Sequence, residues 1–75
     1  MPKLRKMSTA GDHIVAEWSL LKRDTFEQAR KELHDELKKG CSAFRIEPGG
    51  GSTLITDIDP EVDADVLIVP PVTGG

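Results

Sequence analysis

The sequence predicts a two-layer α+β domain in which one helix lies across a mixed sheet. Three observations lead there. The stretch from Asp24 to Gly40 sets apolar residues at helical spacing among charged ones. The segments on either side alternate with period two or run through β-branched residues. No second substantial helix is present, so a single helix must cover the strands.

A chain of 75 residues is one domain at most. A domain of this size buries roughly 60% of its unfolded surface and is marginally stable. The apolar share of 37% and the charged share of 31% fit a folded domain, not a disordered chain. Trp18, Phe26 and Phe44 are the only aromatic residues, so aliphatic side chains build most of the core. A net charge of −3 lacks the basic surplus on which nucleic-acid affinity rests. The two basic groups, Lys3 with Arg5 and Lys6, and Lys38 with Lys39, read as solvated or as complements to a helix dipole. The one cysteine, Cys41, cannot form an internal disulfide and implies no oxidising compartment. No apolar run approaches the roughly 20 residues that cross a bilayer. The opening "MPKLRKMSTAGD" lacks the apolar core of a signal peptide, so a cytoplasmic location is expected.

The elements follow in order. "KLRKMST" and "HIVAEWS" flank "AGD", and Gly11-Asp12 is turn chemistry, which predicts a hairpin. In its second strand Ile14, Ala16 and Trp18 share one face, and His13, Val15 and Glu17 the other. The first strand is weakly patterned. In "DTFEQARKELHDELKKG", Asp24 is a candidate cap and Glu27 completes a capping box. Phe26, Ala29, Leu33 and Leu37 form the apolar stripe, and Gly40 suits a left-handed helix end. The helix is about four turns long. "CSAFRIEP" puts Phe44 and Ile46 on one side and Arg45 and Glu47 on the other, as a half-buried strand does. "PGGGS" turns the chain into a fourth strand, "TLITDID". "PEVDAD" is a polar connection with room for one helical turn. "VLIV" reads as a central strand buried on both faces. Hairpin, helix and three further strands, the last one buried, are the β-grasp layout.

Within this domain the residues give little chemistry. "EPGGGSTL" lacks the lysine and the following helix of a phosphate loop, so it reads as a hairpin turn. His13, His34 and Cys41 lie on three separate elements, which does not make a metal site. Asp57, Asp59, Glu61, Asp63 and Asp65 lack the central glycine and closing glutamate of a calcium loop. They read as a solvated acidic edge or a patch facing a basic partner. Cys41 has no histidine near it in sequence and reads as a small core residue. No enzyme activity of the chain's own is expected.

The tail "PPVTGG" is different. Residues 1–69 form the domain and 70–75 an extended tail. Pro70 and Pro71 hold the chain extended and deny it backbone donors, which ends sheet pairing. Val72 and Thr73 suit a gripping groove, and Gly74 and Gly75 can thread a narrow channel. Such an end delivers the Gly75 carboxylate to a nucleotide. Once adenylated with ATP, a carboxylate becomes an acyl donor to sulfur or amine.

With that ending on a β-grasp domain of this size, the chain resembles the ubiquitin-like sulfur carriers of the MoaD and ThiS type. "PEVDADV" before the last strand resembles the same loop in the MoaD family. The likeness in residues covers about the last quarter of the chain. It implies a ThiF- or MoeB-like adenylating partner that uses ATP and magnesium, with no cofactor bound by this chain. It makes Gly75 and Gly74 the activated end, and Pro70, Pro71, Val72 and Thr73 the gripped tail. Leu67 and Val69 are expected to add an adjoining apolar contact. The sharp turn after "KLRKMST" and the direct strand "CSAFRIEP" depart from the molybdopterin carriers. Prokaryotic ubiquitin-like protein modifiers are similar at the same level. The first expectation is therefore an amide to a target protein amine. The alternative is a thiocarboxylate for a synthase large subunit in cofactor biosynthesis. A β-grasp binding or assembly module with an inert tail is the third.

Overall fold

A computed structural model describes residues 2–8 and 11–71. The chain forms β1 (Lys3–Ser8), β2 (Gly11–Glu17), α1 (Arg23–Lys38), β3 (Ser42–Ile46), β4 (Ser52–Ile55) and β5 (Val66–Val69). The strands build one five-stranded sheet in the order β2-β1-β5-β3-β4. β1 and β5 run parallel, and the other neighbours run antiparallel. One helix on a five-stranded mixed sheet is the expected α+β layout, and it is compatible with a β-grasp arrangement. No helix among the described residues is long and apolar enough to cross a membrane.

Registers decide which side chains meet, because partners in a ladder share a face. Leu4 stands opposite Ala16 and Val66, and Ala43 opposite Ile55 and Ile68. These residues face α1 and pack with Ala29 and Leu33 in the core, which also takes in Trp18, Cys41 and Ile58. Phe26 and Leu37, the outer members of the helix stripe, are half-buried against it.

Four local expectations need correction. The helix starts at Arg23, and its cap residue, Lys22, makes no side-chain cap bond. Asp24 and Glu27 therefore do not form a capping box. Thr25 fastens this end instead: its Oγ1 donates to Lys22 O at 2.6 Å and accepts from Ser19 N at 2.9 Å. Asp24 remains in the first turn, where it complements the dipole. Second, Gly11 and Asp12 belong to β2. Thr9 and Ala10, which lie between the two strands in sequence, are outside the described residues. Third, the β1–β2 register jumps between Leu4 and Arg5, so Leu4 pairs with Ala16 and Arg5 with Ile14. Val15 is the extra residue of a bulge, which breaks strict alternation. Ile14 thus faces away from the core that Val15 and Ala16 touch, and is 48% exposed. Fourth, β4 stops at Ile55 and "PEVDAD" holds a turn rather than helix. Asp57 has turned to α1, and Val62 N bonds Asp59 O at 3.2 Å.

The helix end is as expected and matters for the tail. Gly40 has φ +96°. Cys41 N bonds Glu36 O at 3.1 Å and Gly40 N bonds Leu37 O at 3.0 Å, the paired bonds of a Schellman ending.

Candidate functional site

β5 is central, as expected, but it is not buried on both faces. Val66 and Ile68 are sealed on the helix side, while Leu67 and Val69 are half-buried on the other. No described element covers that other side. Across it runs one row in register: Ile14 on β2, Arg5 on β1, Leu67 on β5, Phe44 on β3 and Leu54 on β4. Leu54 is 65% exposed, and Ile46 and Met7 add further exposed apolar surface. The alternation in "CSAFRIEP" therefore has the expected sides, yet its apolar side is the open one. The core takes only Ala43 from β3.

The open face leads to the tail. Met7, Ser8, Val69 and Pro70 line a shallow concavity of about 250 Å³ where β5 ends. Pro71 then passes over the helix end: a Cβ on Gly40 would lie 3.8 Å from Pro71 Cγ. Leu67, Val69 and Pro70 thus lie along one path. Val72, Thr73, Gly74 and Gly75, which carry the expected chemistry, lie outside the described residues.

Two charged clusters flank this path. On the open face Arg5 sits between two carboxylates, with Nη1 3.3 Å from Asp12 Oδ2 and Nε 3.6 Å from Asp65 Oδ2. Asp65 Oδ1 also accepts Lys3 N at 2.9 Å. These three side chains, Ile46 and Leu67 border a concavity of about 250 Å³. On the helix side Glu36 is buried, 7% exposed, and Lys6 Nζ reaches its Oε2 at 2.8 Å. Lys39 Nζ lies 3.3 Å from Oε1, and the Cys41 thiol donates to Oε2 at 3.5 Å. The Lys6 hydrogen bond, aided by Lys39 and Cys41 and opposed by burial, holds the Glu36 carboxyl below the usual carboxylate range. Burial, then Glu36, pushes the Cys41 thiol up, so it is a poor thiolate. Cys41 fills the core as expected.

Of the two basic groups, Arg5, Lys6 and Lys39 are paired with carboxylates within the fold rather than simply solvated. The acidic run is also divided. Asp57 accepts Arg30 Nε and Nη2 at 2.9 Å each and lies 3.2 Å from His34 Nε2. Burial raises its carboxyl, but Arg30, the Ile58 N–H and His34 outweigh that and hold it low. Asp59 Oδ1 accepts Glu61 N at 2.9 Å, and Asp65 belongs to the open face. Among the described residues no three His, Cys, Asp or Glu side chains converge as metal ligands.

Glu36 was hidden among the polar residues of the helix, yet its spacing from Ala29 and Leu33 puts it on the buried stripe. That spacing was the available signal. Lys6 is its counterpart, a charged residue on the helix side of β1, and it accounts for the weak pattern of that strand. No protein-family model, curated protein or solved structure matches the chain.

Proposed function

We infer that the chain is a ubiquitin-like β-grasp protein that acts through its C-terminal glycine. The reading takes Gly75 as the terminal residue of the acting protein. In it a ThiF- or MoeB-like partner binds ATP and magnesium. The Gly75 carboxylate attacks the α-phosphorus, pyrophosphate leaves, and an acyl-adenylate results. A target amine then attacks the acyl carbon, AMP and a proton leave, and an amide joins the two proteins.

The observation that carries this reading is the exit of β5. A strand held between β1 and β3 runs directly into Pro70-Pro71, and Pro71 passes over the helix-ending Gly40. That gives Val-Thr-Gly-Gly a rigid base beside an exposed apolar face. A second reading, a thiocarboxylate carrier, is favoured by the MoaD-like stretch "PEVDADVLIVPPVTGG". In that case sulfide replaces the amine as the nucleophile that displaces AMP.

One experiment tests both. The full chain and a chain lacking Gly74-Gly75 are incubated with the adenylating enzyme of its own cell, ATP and magnesium, and weighed intact. An AMP adduct on the full chain alone supports activation. Exchange of one oxygen for sulfur selects the carrier, and an adduct with a second protein selects the modifier. An unchanged mass with an active enzyme removes both readings and leaves a binding module.

A further inference from the structure

The geometry points to the open face of the sheet as a docking surface for a protein partner that presents apolar side chains and one lysine or arginine, whose charge seats between Asp12 and Asp65. This goes beyond activation at Gly75 and stands independently of it.

The apolar part of this surface is the row itself. Ile14, Leu67, Phe44 and Leu54 lie in register across four of the five strands. The single helix packs on the opposite side, so folding leaves this row uncovered. Contiguous exposed apolar surface rimmed by polar groups marks an interaction site on a small soluble domain. Exposure is greatest at Leu54 on the edge strand and at Ile14 on the opposite edge, so a flat partner reaches the whole row.

Charge selects the occupant. Within the row the one guanidinium, Arg5, faces two carboxylates, Asp12 and Asp65. One cation between two anions leaves a surplus negative charge, set beside apolar Ile46 and Leu67 in a small concavity. An incoming ammonium or guanidinium completes the set, and its aliphatic stem covers the apolar wall. A second copy of this chain brings the same surplus to the contact and a net charge of −3 overall. Like charges across an interface oppose association, so a cationic partner is selected over self-pairing.

The test is a titration of the isotope-labelled full chain, followed residue by residue by NMR. Three synthetic peptides are used: an amphipathic leucine–lysine helix, its leucine–glutamate counterpart and a lysine–serine peptide. The leucine–lysine peptide is expected to move the amides of Arg5, Ile14, Phe44, Leu54 and Leu67 and to leave Lys31 and Asp35 in place. The other two peptides are expected to do far less. Leu54→Asp and Asp12→Asn are both exposed substitutions and preserve the fold, which the remaining spectrum verifies. Each is expected to weaken binding about tenfold. Shifts on the helix face, equal binding of all three peptides, or unchanged affinity in both variants would overturn the proposal. So would a dimer in sedimentation that Leu54→Asp dissociates, because the occupant would then be a second copy.

Discussion

On the helix side of the sheet Leu4, Ala43, Val66 and Ile68 close into a core with Ala29 and Leu33. On the other side Ile14, Phe44, Leu54 and Leu67 lie in register with no element above them. The chemistry of the two faces is alike, and the cover is not. Burial stabilises a side chain only where something removes it from water, at about 25 cal/mol per Å² of apolar surface. The helix side therefore holds the fold together, and the open side leaves its apolar row exposed. Charges follow the same division. Lys6 and Glu36 satisfy each other on the helix side, with Lys39 and Cys41 completing the carboxylate's partners. Arg5 on the open side is outnumbered by its carboxylates.

The largest effect expected from this comparison is at Leu33, which has no solvent exposure. Leu33→Ala should cost about 2–5 kcal/mol. That is comparable with the whole stability of a domain this small, on the order of 5 kcal/mol. A urea titration followed by circular dichroism should find this variant largely unfolded before denaturant is added. Leu54→Ala removes the same atoms from the open face and should change stability by less than about 0.5 kcal/mol. Equal losses at the two positions would erase the distinction between the faces.

Next in size is Glu36→Gln, which keeps the shape and removes the charge. Hydrogen bonds to a charged group contribute about 1.5–3 kcal/mol, and a loss near the lower end is expected because the amide keeps some of them. The sign with pH follows from the direction of the shift. The Glu36 carboxyl is held low in the fold, so its contribution is complete above the unfolded carboxylate pKa and disappears as pH falls through the lower folded value. Urea midpoints measured from about pH 6 down to about pH 3 should fall more steeply for the parent than for the variant. Glu47 and Asp57 are also held low, so the variant keeps part of the slope. Parallel slopes would remove Glu36 as a stabilising charge.

Much of the helix side was legible in the sequence. Phe26, Ala29, Leu33 and Leu37 recur at helical spacing, and Gly40 ends the helix where its conformational freedom is needed. Period-two alternation places Phe44 and Ile46 on one side of β3, but it carries no sign that tells a covered face from an open one. Both sides of β5 are apolar, so "VLIV" cannot say that only one is sealed. Lys6 and Glu36 each break a local pattern, and they make sense only as a pair separated by 30 positions in the chain. The β2 bulge is likewise invisible to alternation, because one extra residue at Val15 reassigns Ile14 without any change in composition. Of the candidate site, Leu67 and Val69 lie along the path from the open face to Pro70. Gly74 and Gly75 lie outside the described residues.

The smallest effects belong to one ion pair on each side. On the helix side, Asp57 holds Arg30 through two bonds of 2.9 Å and also accepts the Ile58 N–H at 2.9 Å, which straps the segment after β4 to α1. On the open side, Asp12 reaches Arg5 through one bond of 3.3 Å. Water and salt screen both, so neither contributes much to stability. The bidentate geometry and the backbone bond should still separate them. Asp57→Asn should lower the thermal midpoint by about 2–5 °C, and Asp12→Asn by no more than about 1–2 °C. Raising sodium chloride to about 0.5 M should shrink the Asp57 effect toward the Asp12 one, because the charge interaction is screened while the Ile58 bond is retained. If Asp12→Asn proved the more damaging, the Asp12–Arg5–Asp65 cluster would be fastening the hairpin. Its carboxylates would then be structural rather than free to receive a cation.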